Sequence, residues 1–291
     1  MNINPVFEKE LKRNSRSIKI SWIIFGCNLI LSMIAFACFF GESRIVGYLT
    51  PSSYSMPMRC YVIMAYAMFF LIILAVPAIA GGSISLEREK KTLDVLLTTN
   101  LNPWKIITGK LEASLGMMFI MAISTLPIIS LIMVFGGIEY IDMLYLIANL
   151  LVVGIYVGSI GIFCSVVFKK TTLATVMSYV IVLLLVGGTI AAVVLSYYIC
   201  NLHAMEAFYY QPVDIESMIY ILLINPFLSF AGMICSQLGT GHEMAEICSY
   251  LGDYSNNPII HHFPEAAMAI QLMLSGIFLL LAGYQINPLN K

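Results

Sequence analysis

The sequence predicts an all-α integral membrane protein with six transmembrane helices. Three observations predict it. The chain is 60% hydrophobic and only 11% charged, whereas soluble domains are nearer half apolar and about a quarter charged. Six apolar runs, at 20–40, 60–82, 111–135, 143–168, 173–199 and 264–284, approach or exceed the roughly 20 residues that cross a hydrocarbon core. When these runs alternate across a bilayer, thirteen of the fifteen basic residues fall on one side, the cytoplasmic one by the positive-inside rule.

The elements follow in order. Asn4-Pro5 reads as a helix opening, with asparagine as cap and proline in the first turn. Phe7, Leu11 and Ile18 then recur on one face, away from Lys9, Lys12, Arg13 and Arg16. Residues 1–19 are therefore expected to form an amphipathic helix in the cytoplasmic interface, near anionic lipid. The run at 20–40 is too long for a signal-peptide core and reads as a retained first span.

Between spans two and three lies SISLEREKKTLDVLLTTNLNPWKIITGK, residues 83–110. Leu93, Leu96, Leu97 and Leu101 give it one apolar helical face. Thr92 is placed to cap a helix, with Asp94 in its first turn. Asn102-Pro103 opens the next helix, which runs into span three. Gly81-Gly82, just before, reads as close packing or a bend.

The segment 200–265 has no Lys or Arg and is expected outside. Within it, 217–235 is apolar but carries Asn225-Pro226 at its middle, and proline interrupts a helix. Six spans with both termini in the cytoplasm satisfy every loop charge. A seventh at 217–235 would place Lys291 outside. That run is therefore expected to be a re-entrant outer hairpin between spans five and six, kinked at Pro226. Residues 236–262 read as loop. The whole of 1–291 reads as one transmembrane domain, with cytoplasmic helix 1–19, inner segment 83–110 and outer segment 200–263.

Several chemistries are excluded or weak. No basic tract suggests nucleic acid. Gly109-Lys110 lacks the upstream glycine of a phosphate-cradling loop, so ATP is not bound by that device. Acidic and basic residues are nearly absent from span interiors, which argues against ion coupling. His242-Glu243-Met244-Ala245-Glu246 has glutamate where a zinc-protease helix needs its second histidine. The histidines are expected on the opposite side from Ser83, so no Ser-His pair forms. Asn28, Ser32, Tyr66, Asn149, Tyr179, Thr189 and Gln271 lie inside spans and are expected mostly to bond between helices. The seven cysteines contain no CxxC pair and imply no disulfide framework. From residues alone, an outer-face membrane enzyme acting through 200–265 and a non-transporting scaffold stay open beside a transporter.

The inner segment resembles the signature of ABC-2 type ATP-binding-cassette permeases. The matching residues are Glu87, Glu89, Lys90, Thr92, Leu93, Leu96, Leu97, Pro103, Trp104, Ile106, Gly109 and Lys110. NPVFEKELKR resembles that family's N-terminal helix, and NPFLSF at 225–230 resembles its outer segment between spans five and six. Two positions depart: Lys91 stands where the family often has glycine, and Asn100 replaces a small residue or proline. The resemblance implies a permease that pairs with itself or a related permease. It implies separate ATPase subunits, with ATP and magnesium bound there and no cofactor in this chain. It implies that Glu87, Arg88, Glu89, Thr92, Leu93, Leu96 and Leu97 contact the ATPase. It implies export of an amphipathic or hydrophobic substrate from a plasma membrane of bacterial type.

Overall fold

The computed structural model describes residues 5–15, 18–43, 55–92, 103–136, 139–206, 219–238, 259 and 262–286. Among these the chain is helical throughout, with no strand. Five helices are long and apolar enough to cross a membrane: Met58–Glu89, Trp104–Leu126, Tyr140–Val167, Thr171–Cys200 and Phe263–Ile286. They match five of the six expected runs. The remaining run, 20–40, falls in α2 (Ile18–Ser43), whose apolar part with described side chains is Ile24–Ala37.

The chain divides into two compact units, Met1–Ser178 with Gly276–Lys291, and Tyr179–Ser275. The first holds α1 (Pro5–Ser15), α2, α3 (Ser55–Gly81), α4 (Ser85–Glu89), α5 (Pro103–Gly136), α6 (Tyr140–Val167) and the start of α7 (Thr171–Leu183). Proline opens α1 and α5, where its missing N–H costs nothing. Helix α6 opens with a capping box between Glu139 and Asp142. Helices α3, α5 and α6 pack mutually, and α1 lies on α5. A Cβ on Gly116 of α5 would touch Phe7 and Leu11, two of the three residues expected to form the apolar face of the N-terminal helix; the third, Ile18, begins α2.

Close approach is set by small residues, as membrane packing requires. A Cβ on Gly161 would come within 2.8 Å of Ala80 Cβ, and one on Gly81 within 3.1 Å of Thr175 Cα. Gly81 thus brings α3 against α7 as expected. Below this crossing, Ala80, Ile84, Ile107, Leu111, Ile162, Val166, Ala282 and Ile286 form a buried apolar cluster.

In the second unit the fifth span is not uniform. A π-helical turn, Leu184–Gly188, separates α7 from α8 (Thr189–Glu206). The apolar run expected at 217–235 is broken into α9 (Ile219–Leu222) and α10 (Pro226–Gln237). Neither is long enough to span. Pro226 does not kink a helix at its middle; it opens α10, and Asn225 caps it by accepting from Phe227 N and Leu228 N. The Asn225 amide donates to Val186 O at 2.9 Å and Thr189 Oγ1 at 2.8 Å. It thereby satisfies a carbonyl of the π turn. Gln271 of α11 (Phe263–Ile286) donates to Leu223 O and Asn225 O.

Candidate functional site

The segment after α3 is held by more polar contacts than a solvated loop needs. Ser83 N bonds Ala80 O, closing a turn into α4, a helix of one turn. Its leading N–H groups have no partners within the helix. Ser165 of α6 supplies one: its Oγ accepts from Ile84 N at 2.8 Å and Ser85 N at 2.9 Å. At the other end Lys91 N bonds Arg88 O and Thr92 N bonds Glu87 O. With Lys91 at φ 56°, this is the Schellman ending, whose left-handed residue is usually glycine. The position where the resembling family often has glycine is the one that takes the left-handed conformation.

Lys110 of α5 points into this segment and is 3% exposed. Its Nζ donates to Glu87 Oε1 at 2.9 Å, to Ser83 O at 2.9 Å and to Glu10 Oε1 of α1 at 3.3 Å. Glu10 is itself buried. A buried cation is tolerated only when paired and hydrogen-bonded, and here all three ammonium protons have acceptors.

Two further charges bind α4 to its neighbours. Arg88 Nη1 donates to Val166 O at 2.9 Å, near the C-terminal end of α6. The Glu89 carboxylate accepts from Thr171 N at 2.8 Å and from the Thr171 hydroxyl. It therefore caps α7, where the helix dipole also favours negative charge. One turn of helix thus bonds to α5, α6 and α7, and Lys110 of α5 extends the network to Glu10 of α1.

Of the seven residues expected to contact an ATPase, Glu87, Arg88 and Glu89 have partners inside the chain. The Thr92 hydroxyl turns back onto Glu87 O at 3.2 Å. Leu93, Leu96 and Leu97, with the helix expected over 92–99, lie outside the described residues. Trp104 lies against Gly283 of α11. Sequence reasoning missed Glu10, Ser165 and Thr171. Glu10 had a usable signal, because it stands four residues after Val6 on one helical face, and both are buried. Ser165 had none.

The described residues contain no group of three His, Cys, Asp or Glu side chains able to hold a metal. His242 and His261 lie outside them. Beside α4 opens a cavity of about 320 Å³, whose wall includes Glu10, Ser83, Lys110, Ser114, Thr171 and Thr175.

Residues 50–284 of the chain match the family described as ABC-2 family transporter protein. No curated protein matches the chain.

Proposed function

This chain belongs to the ABC-2 family of transporter proteins, and we propose that it is the membrane permease of an exporter driven by a separate ATPase. ATP and magnesium bind on that ATPase. The exported substrate is amphipathic or hydrophobic. The permease works with a second copy of itself or a related permease. Helix α2 is the first of six spans, both termini are cytoplasmic, and α9–α10 form the re-entrant outer hairpin.

The observation that supports coupling most is the attachment of α4. Its side chains bond to α5, α6 and α7, and Lys110 of α5 carries the link on to α1. A push on 92–99 would reach α5, α6 and α7 through these bonds. The seven contact residues then divide between two roles. Glu87, Arg88 and Glu89 hold the segment on the spans, whereas Thr92, Leu93, Leu96 and Leu97 meet the ATPase.

The test is reconstitution. The purified chain alone should not hydrolyse ATP, and adding its ATPase should give turnover altered by substrate. Hydrolysis that persists in the chain after rigorous removal of every partner overturns this function.

A further inference from the structure

The fifth span carries a joint, and the connection between α9 and α10 holds it. The π turn Leu184–Gly188 closes its backbone bonds across five residues rather than four, so it takes in one residue more than an α-helical turn. Side chains serve two of its carbonyls. The Thr189 hydroxyl donates to Leu185 O at 2.7 Å, and the Asn225 amide donates to Val186 O at 2.9 Å. Asn225 also donates to Thr189 Oγ1 at 2.8 Å, which couples the two side chains. Space is left for the turn to rearrange: among the described residues, a Cβ added at Gly187 or Gly188 would meet nothing within 4 Å.

The same connection grips α8 one turn further on. Val193 is buried in a cluster with Leu222 and Leu223 and with Phe263 and Ala267 of α11. Asn225 N donates to Leu222 O at 3.1 Å, so the residues that hold the turn and those that hold Val193 move together. Beside Val193, Ala191, Val194 and Leu195 are exposed. Each α-helical residue advances by about 100°. Closing the turn into α-helix takes up its extra residue and carries every residue beyond it forward by about that angle. Val193 then takes the direction that Val194 has now and leaves its cluster. Ile190 takes the direction of Ala191, and Leu195 that of Ser196, which is half-buried. These are two discrete packings, not a continuous bend.

We propose that the π turn is a two-state joint latched by Asn225. Withdrawal of the α9–α10 connection frees the turn to interconvert with α-helix, and the interconversion rotates α8 about its axis relative to residues 179–183. The inference does not rest on ATPase coupling, because the joint and its latch both lie within this chain.

The test uses the full chain in phosphatidylcholine nanodiscs, without ATPase. A lipid-partitioning diazirine is photolysed, and tandem mass spectrometry reads the labelling of 189–198 residue by residue. Val194 faces outward in both states and serves as the internal reference. In the native chain Ala191 and Leu195 should label with Val194, and Val193 should not. Asn225→Ala removes the latch. Thr189→Val keeps the shape of that side chain and removes only the hydroxyl. Each should raise labelling of Val193 and Ile190 several-fold relative to Val194, and lower that of Leu195 and Ala191. Deletion of Gly187 supplies the discriminating background, because it removes the extra residue while leaving α8 in its native rotation. There the native labelling pattern should return, and Asn225→Ala should no longer change it. A general loosening of the hairpin would expose Val193 with or without the deletion. Unchanged labelling in both single variants, a Val193 gain that survives the deletion, or a shifted pattern in the deletion alone overturns the proposal. Because no ATPase is present, such a failure leaves the transport reading standing.

Discussion

Lys110 Nζ lies 2.9 Å from Glu87 Oε1, with the lysine side chain 2% and the glutamate side chain 15% exposed. The pair joins the third apolar run to the charged turn that precedes it. Removing one member of a buried pair typically costs about 3–5 kcal/mol, because the other charge is left unpaired. Lys110→Met should therefore lower the unfolding free energy in detergent by about that amount. An exposed pair such as Lys12–Glu8, 71% and 54% exposed, sets the comparison: Lys12→Met should leave stability nearly unchanged, because solvent screens the pair. Equal, small effects at both positions would show that Lys110 is solvated.

Lys91 has φ 56° at the end of α4, a region where a side chain costs roughly 1–2 kcal/mol per residue. Lys91→Gly should raise thermal stability slightly or leave it unchanged. Lys91→Val should lower it, since a β-branched residue is poorly tolerated there. A stabilising valine would remove the Schellman ending from the account.

Two glycines in spans should respond oppositely to alanine. At Gly161 an added Cβ meets Ala80 Cβ at 2.8 Å and Gly81 N at 3.1 Å, both on a neighbouring helix. At Gly276 nothing lies within 4 Å. Gly161→Ala should destabilise, whereas Gly276→Ala should stabilise by about 0.5–1 kcal/mol through helix propensity. Thermal unfolding of the two variants side by side checks the α3–α6 crossing.

Asn225 both caps α10 and donates to the π turn. Asn225→Ala removes the cap, worth about 1 kcal/mol, and leaves Val186 O without that donor, worth about 1–3 kcal/mol more. Hydrogen exchange should rise in 184–189 and 226–230. Unchanged protection in both stretches would contradict the described link.

The sequence already carried the apolar runs, the proline openings of α1 and α5, the close packing at Gly81, and a break at Asn225-Pro226. Each depends on residues near one another in the chain, where period and cap chemistry act. The interhelical role expected of polar residues within spans holds for Asn28, which donates to Ser124, and for Gln271. It fails for Ser32, whose hydroxyl bonds Leu29 O on its own helix. Asn149 is fully buried, and neither of its amide atoms has a hydrogen-bond partner among the described residues. The joint around α4 was not legible. Glu10 and Lys110 are a hundred residues apart, and Ser165 is eighty from Ser85. No local pattern says which distant partner a charge will take. The charged residues after Ser85 were readable as important, but their inward direction depends on how α6 ends and α7 begins.

The central claim is that the stretch following α4 takes force from an ATPase and passes it to the spans. Co-purification of the ATPase with Leu96→Asp tests it most directly. A carboxylate placed in an apolar docking contact would be buried without a partner, at a cost of several kcal/mol. The account predicts that Leu96→Asp inserts and expresses normally, loses its ATPase and transports nothing. Glu243→Lys, on the side expected to face outward, should keep the ATPase. If Leu96→Asp retains the ATPase and transports at the native rate, the segment is a solvated loop and the account fails.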